Sequence, residues 1–304
     1  MPRNLLLTGA FPYTQKELEN IEKLGFSIDF KQHESDFIEH PEKYVCTVCN
    51  GLFLYHDITK FTQLKMIQLT SAGMDRAPVD YAAQHEIRIF NARDVYHIPM
   101  AEWAVLKVLE IYKHSRFFYD MQARHIWKKH RGLQELTDKK VCIVGIGSVG
   151  KETAKRFKCF GAEIVGVDIE YKQDKYVDEF FDISQIDAAI MKSDVVILTL
   201  PHTPQTHHLV GDKLLKVFKQ DAILVNLSRG GIIDESALAE RIREGTFLGV
   251  ALDVFEEEPL NSNNPLWNFE NVIITPHNSF VSNKTRERLF TLICHNLESF
   301  CREL

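Results

Sequence analysis

Residues 141–168 constrain the fold of this chain more than any other stretch. Val141-Cys-Ile-Val144 is an apolar, β-rich run. It leads into Gly145-Ile-Gly147-Ser-Val-Gly150 and then into the helical pattern of Lys151–Phe160. A second such run, Glu163–Val167, ends on Asp168. Three glycines alone are a weak signal, and a strand–turn–helix can carry them without a ligand. Strand, glycines, helix, second strand and acid in that order are much more specific. Gly145 permits the tight turn, Gly147 lets the backbone approach a ligand, and Gly150 lets the helix pack closely on the strand. The helix N-terminus presents N–H groups and a partial positive charge to a pyrophosphate. A carboxylate at Asp168 accepts from adenosine ribose hydroxyls and repels a 2′-phosphate, so the segment predicts a dinucleotide site preferring NAD(H) to NADP(H). Glu170 adds acidity, and Lys172 and Lys175, which follow the acid, oppose it only slightly.

The same alternation runs along most of the chain. Strand-like runs occur at Asn4–Thr8, Ser27–Phe30, Val45–Val48, Met66–Leu69 and Ile87–Phe90. A second series lies at Val141–Val144, Glu163–Val167, Val195–Leu198, Ala222–Val225, Gly249–Leu252 and Val272–Ile274. Continuously apolar strands separated by helical patterns predict parallel sheets covered on both faces. Between the series, about Pro99 to Arg131, the pattern is helical, and Phe117–Lys129 is expected to continue it. The aromatics Phe118, Tyr119 and Trp127 there face either the core or another subunit. Val281–Leu304 reads as a final amphipathic helix. No glycine- or serine-rich linker separates the series, so a boundary near residue 99 is a helix junction.

Hydrophobic content of 45%, charged content of 26% and a formal net charge of −6 describe an ordinary globular chain. They disfavour a nucleic-acid or anionic-membrane surface as the main activity. No apolar run is long enough to span a bilayer. The N-terminus reads as a first strand and not as a signal peptide, and six scattered cysteines suggest reduced thiols in the cytoplasm. Cys46 and Cys49 form a C-x-x-C, which admits redox or zinc readings. Both sit in an apolar strand with no second pair, so the structural reading is preferred, and no metal site is expected.

Three later strands run into polar loops: Asn226-Leu-Ser-Arg229-Gly230-Gly231, then Asp253 followed by Glu256-Glu257-Glu258, then Thr275-Pro-His277. Ligands of open α/β sheets bind at such strand ends. Arg229 can fork onto a substrate carboxylate. His277 can move a proton to or from a substrate oxygen. A neighbouring carboxylate would favour the imidazolium and orient the ring, but spacing alone does not choose among the three glutamates. With NAD exchanging a hydride, the set suits alcohol–ketone chemistry on a small acid.

These motifs resemble the NAD-dependent D-isomer-specific 2-hydroxyacid dehydrogenases over nearly the whole chain. The similar segments are Ser71-Ala-Gly-Met-Asp75, Met100-Ala-Glu102, Val144–Gly150, Leu200-Pro-His-Thr-Pro-Gln-Thr206, Asn226–Gly231, Ala251–Leu260 and Thr275-Pro-His277. The resemblance implies an α/β chain of two Rossmann-like, doubly wound parallel-sheet domains with a cleft between them. Residues 1–98 and 278–304 would form a flavodoxin-like substrate domain, and 99–277 the NAD-binding domain. It implies Arg229, Glu258 and His277 as the catalytic set, with Ala72 and Gly73 binding the substrate carboxylate through backbone N–H groups beside Arg229. NAD would contact Gly145, Gly147, Ser148, Val149, Gly150, Asp168, Pro201, Thr206, Leu227 and Asp253, the last holding the nicotinamide carboxamide. The expected partners are a small 2-keto or 2-hydroxy acid and a second copy, joined through the 99–131 helical region.

Some positions depart from the family. Arg93-Asp94 replace a common Pro-Gly, Met100 replaces Val, and Asn278-Ser279-Phe280 replace an Ala-Trp-like continuation. With Tyr96 and His97, they suggest a confined, partly aromatic pocket and affect the choice of substrate more than the reaction class. Two other activities compete. One is oxidation of formate or phosphite, of which Glu258 disfavours formate because similar formate enzymes carry Gln there. The other is an NAD-sensing, corepressor-like protein without turnover, which an NADH-dependent partner and inertness toward keto acids would reveal.

Overall fold

The computed structural model describes residues 3–171 and 173–303. The strands are β1 (Arg3–Thr8), β2 (Phe26–Lys31), β3 (Tyr44–Cys49), β4 (Met66–Leu69), β5 (Arg88–Phe90), β6 (Lys140–Val144), β7 (Glu163–Asp168), β8 (Glu179–Asp182), β9 (Val195–Leu198), β10 (Ala222–Asn226), β11 (Phe247–Leu252) and β12 (Val272–Ile274). The helices are α1 (Gln15–Glu22), α2 (Val79–Gln84), α3 (His97–Tyr112), α4 (Ser115–Ala123), α5 (Ser148–Cys159), α6 (Ile186–Met191), α7 (Asp212–Leu215), α8 (Glu235–Arg243) and α9 (Thr285–Glu303). They divide into two compact units. One comprises residues up to Tyr96 together with those from Ser282 onward, and the other is His97–Val281.

In the first unit the strands form a parallel sheet of order β2-β1-β3-β4-β5. The order reverses between β1 and β3, which makes a topological switch point. Leu5, Leu6 and Leu7 are fully buried because both faces are covered. Leu5 and Leu7 join Ile293, Leu297 and Phe300 of α9, whereas Leu6 joins Ile67, Leu69 and Ala82 of α2. Cys46 belongs to the first face and Cys49 to the second, so the two thiols point to opposite sides of β3. Burial pushes the Cys49 thiol up to about 12 and that of Cys46 well above its usual range. Neither suits redox work, and all six cysteines are free.

In the second unit seven parallel strands take the order β12-β11-β10-β9-β6-β7-β8. This sheet reverses between β6 and β9. Val141 and Ile143 pack with Ala104 and Val108 of α3 and Phe157 of α5, while Cys142 and Val144 face Ile190 of α6 and Leu238 of α8. Among the described residues, no helix is long and apolar enough to cross a membrane.

The structure departs from the sequence-based expectations in three places. First, β8 adds an edge strand, Glu-Phe-Phe-Asp, whose residues are at most half-buried and carry no apolar run to reveal it. Second, the helical region is interrupted and ends early. His114 takes a left-handed φ of 48° between α3 and α4, and His125 one of 56° just after α4. A left-handed residue breaks the i→i−4 ladder. Helix α4 buries no residue and Trp127 is 97% exposed, so no apolar stripe holds residues 124–131 helical. Third, α9 starts at Thr285, after a turn in which the Ser282 hydroxyl bonds the Thr285 hydroxyl.

Candidate active site

Each polar loop of interest in the second unit leaves the C-terminal edge of its sheet. The glycine loop follows β6, Asp168 ends β7, Pro201–Thr206 follows β9, Arg229 follows β10, Asp253 and Glu258 follow β11, and His277 follows β12. The loops after β6 and β9 flank the switch point, where open α/β sheets bind ligands. Lys172, part of the sequence argument about cofactor charge, lies outside the described residues.

The glycine loop has no room for side chains. Gly145 has φ +99°, and a Cβ there would meet the Leu200 backbone nitrogen at 2.8 Å. On Gly150 a Cβ would come within 2.1 Å of the Gly145 carbonyl oxygen. Gly147 is the N-cap of α5, so the first-turn N–H groups of Ser148, Val149 and Gly150 point out at the sheet edge. The Thr199 hydroxyl donates to the Gly145 carbonyl at 2.6 Å and ties the loop to β9. The Asp168 carboxylate accepts from the Ile146 N–H at 2.9 Å and the Ile169 N–H at 2.8 Å. This cradle, with its acid at the next strand, fits a dinucleotide. Thr206 closes its own turn, donating to the Pro201 carbonyl at 2.8 Å and accepting from the Thr203 N–H at 2.7 Å. Leu227 is buried at 1% exposure, so only its backbone is available to a cofactor.

Arg229 leaves a tightly folded turn. Asn226, the last residue of β10, is 1% exposed. Its Oδ1 accepts from the Ser228 N–H at 3.1 Å and the Ser228 hydroxyl at 2.8 Å, and its Nδ2 donates to the Arg229 carbonyl at 3.0 Å. Arg229 Nη1 donates to the Ser228 carbonyl at 2.8 Å. Gly230 lies against Phe255, where a Cβ would fall 1.8 Å from the carbonyl carbon.

Glu258 Oε2 lies 2.7 Å from His277 Nδ1, and its Oε1 accepts from the Phe255 N–H at 3.1 Å. Glu256 turns elsewhere, accepting from the Glu235 N–H at 3.0 Å and standing 3.1 Å from His208 Nε2. The glutamate choice that spacing left open is thus made by geometry. His277 and Glu258 are each about one-third exposed, with side-chain exposures of 35% and 35%. The Phe280 ring meets the His277 ring edge-on at 5.9 Å between centroids.

His277 has a left-handed φ of 50°, and Asp253 holds that turn. Asp253 is fully buried. Its Oδ1 accepts from the Thr275 hydroxyl at 2.5 Å and the Asn278 N–H at 2.8 Å, and its Oδ2 from the Ser279 N–H at 2.8 Å. The Asp253 carbonyl accepts the His277 N–H at 2.7 Å. Thr199 was not singled out from sequence, and Thr275 and Ser279 were noted only as parts of motifs, not as hydrogen-bonding partners of Asp253. Nothing in the spacing of Thr199 distinguishes it from other loop hydroxyls.

In the first unit, Ala72 and Gly73 follow β4. Asn91 Nδ2 donates to the Ala72 carbonyl at 2.8 Å and the Ser71 hydroxyl to the Gly73 carbonyl at 2.9 Å. With both carbonyls engaged, backbone N–H groups are what this loop offers an anion. The Tyr96 hydroxyl donates to the Thr70 carbonyl, and burial pushes it up to about 12. Among the described residues, no group of three or more His, Cys, Asp or Glu side chains is arranged to hold a metal ion.

Residues 105–279 match the family model of the D-isomer specific 2-hydroxyacid dehydrogenase, NAD binding domain. A D-3-phosphoglycerate dehydrogenase of Methanocaldococcus jannaschii is 33% identical over 265 residues, which are 85% of this chain. The chain spans only 50% of that longer relative. A glyoxylate reductase of Thermofilum pendens is 33% identical over 241 residues, 77% of this chain and 71% of the relative. A D-isomer specific 2-hydroxyacid dehydrogenase family protein from Aeromonas salmonicida subsp. salmonicida A449 superimposes with TM-score 0.85 at 26% identity, covering 100% of this chain and 97% of that one. The chain belongs to the D-isomer specific 2-hydroxyacid dehydrogenase family.

Proposed function

We propose that the chain interconverts a small 2-keto acid and the corresponding D-2-hydroxy acid with NAD(H). The 2.7 Å pairing of Glu258 with His277 carries this reading, because it sets a proton-transferring ring beside a carboxylate. The cofactor supplies or accepts the hydride. Gly145, Gly147 and Gly150 leave room for its pyrophosphate, the first turn of α5 from Ser148 and Val149 faces it, and Asp168 takes the adenosine ribose. The backbone around Pro201, Thr206 and Leu227 would complete the contacts. Both oxygens of Asp253 already hold the His277 turn, and a remaining lone pair is what it offers a carboxamide.

In the reductive direction His277 Nε2 gives its proton to the developing alkoxide, and Glu258 at Nδ1 stabilises the charged ring that starts the step. Arg229 forks onto the substrate carboxylate and polarises the ketone. In the first unit, the Ala72 and Gly73 N–H groups are what that loop offers a carboxylate. Phe280 beside His277 favours a compact substrate. The test is NADH consumption with glyoxylate, hydroxypyruvate, pyruvate, phenylpyruvate and branched 2-keto acids. Turnover of at least one is expected, with the D-product wherever the product is chiral, and inertness toward all of them refutes the proposal.

We infer further that the protein works in the cytoplasm as a homodimer joined through the 99–131 region. Its free cysteines fit a reducing compartment. Leu106, Tyr119, Ile126 and Trp127 leave a large apolar area exposed on one region of the chain, which a second copy would cover. Trp127→Glu is expected to shift the sedimentation coefficient from dimer to monomer. A wild-type monomer refutes the assembly.

A further inference from the structure

We propose that Asn226 is a positioning residue for Arg229, setting the direction of its guanidinium through the turn between them. This rests on the reading of Arg229 as the substrate-carboxylate ligand. Asn226 still belongs to the sheet, since its carbonyl accepts the Asp253 N–H at 2.9 Å. Its amide leaves the ladder and satisfies the loop instead. Oδ1 takes both donors of Ser228, and Nδ2 takes the Arg229 carbonyl.

The consequence passes from residue to residue. Oδ1 holds the Leu227–Ser228 peptide and the Ser228 hydroxyl, and Nδ2 holds the Arg229–Gly230 peptide, so the peptide between them, whose Ser228 carbonyl accepts from Arg229 Nη1 at 2.8 Å, is fixed from both sides. One of the groups that direct the guanidinium is therefore a carbonyl whose own placement depends on Asn226. On the other side Gly230, pressed against Phe255, prevents the turn from sliding outward. At 1% exposure the amide has little water with which to replace these bonds, so its removal loosens the turn. An Asn is required because the role needs an acceptor and a donor on one short side chain. Asp lacks the donor, and Gln is one carbon too long for bonds two and three residues ahead.

A double-mutant cycle distinguishes this role from general support of the fold. The proteins are wild type, Asn226→Ala, Arg229→Ala and the double variant. The probe is oxamate, an unreactive isostere of a 2-keto acid, titrated into the NADH-loaded protein by fluorescence. Asn226→Ala is expected to weaken oxamate by about tenfold, the scale of one lost hydrogen bond. In the Arg229→Ala background the same change is expected to matter less than about twofold, because the residue through which Asn226 acts is gone. NADH affinity is expected to stay within about twofold throughout. Asn226→Asp keeps the acceptor for Ser228 and is expected to fall between wild type and Asn226→Ala. It also completes a cycle with Arg229→Ala if the Asn226→Ala variant does not fold. Equal losses in both Arg229 backgrounds, parallel weakening of NADH, or no oxamate binding by wild type overturns the proposal. Oxamate coupling without turnover of any keto acid refutes the proposed reaction alone.

Discussion

The buried Asp253 carboxylate accepts the Ser279 N–H at 2.8 Å, two residues past His277. Together with its bonds to Thr275 and Asn278, this makes Asp253 the anchor of the turn that presents the ring. Asp253→Asn brings an NH2 group against at least one of three donors. The expected cost is about 1–3 kcal/mol in urea unfolding. A misdirected His277 is expected to lower kcat by up to about a hundredfold. Wild-type stability and kcat in this variant would show that the turn holds without the carboxylate.

The glycine loop predicts a steric failure. Gly150→Ala must displace the Gly145 carbonyl oxygen, now 2.1 Å from the site of the new Cβ. Overpacking of this kind costs about 1–3 kcal/mol. NADH binding, followed by fluorescence, is expected to be lost while the second sheet stays folded by circular dichroism. Unchanged NADH affinity would mean that the loop does not hold the cofactor.

Cofactor choice rests on Asp168, whose carboxylate also accepts from Ile146. Asp168→Ala is expected to weaken NADH more than tenfold, about 1.4 kcal/mol or more, and NADPH much less. The ratio of the two dissociation constants, measured by titration, therefore moves toward NADPH. Equal weakening of both would assign Asp168 a purely structural part.

Much of this architecture was legible because burial on both faces imposes a plain code. Val195–Leu198 is continuously apolar for that reason, and its strand limits were readable directly from sequence. β8 carries no such run because it closes an edge. The break at His114 is a single-residue conformation in an otherwise helical pattern, and residues 124–131 bury nothing that would enforce a period. At the site, spacing placed polar groups at strand ends but not the direction of each side chain. Spacing alone does not separate Glu256 from Glu258, a choice the family resemblance made for Glu258, and in the structure one turns to Glu235 and the other to His277. Asp253 was read as a group for the nicotinamide carboxamide, whereas much of its bonding capacity, like that of Asn226, is spent on the turns that hold His277 and Arg229.

Acid stability of the first unit is predicted from Glu17. Burial pushes its carboxyl up, but hydrogen bonds from Arg286 and Thr14 and the Arg286 charge more than offset this, leaving it below the usual value of 4.5. Arg286 Nη1 donates to Glu17 Oε1 at 2.9 Å, tying α9 to α1. A carboxyl lowered on folding stabilises above its unfolded value, and that contribution is lost as pH falls through the folded one. Glu17→Gln is expected to lower the melting temperature at neutral pH and to lose less on acidification to about pH 3 than wild type does. Parallel curves for the two proteins would remove Glu17 from the acid response.

The pairing of His277 with Glu258 is tested most directly by comparing His277→Ala and Glu258→Gln with wild type on the best 2-keto acid. The His277→Ala variant is expected to lose about 10²–10⁴-fold in kcat/KM with NADH affinity unchanged. Glu258→Gln should lose less, because the proton-transferring ring stays while its charged Nδ1 partner is gone. Full turnover by His277→Ala would contradict the account.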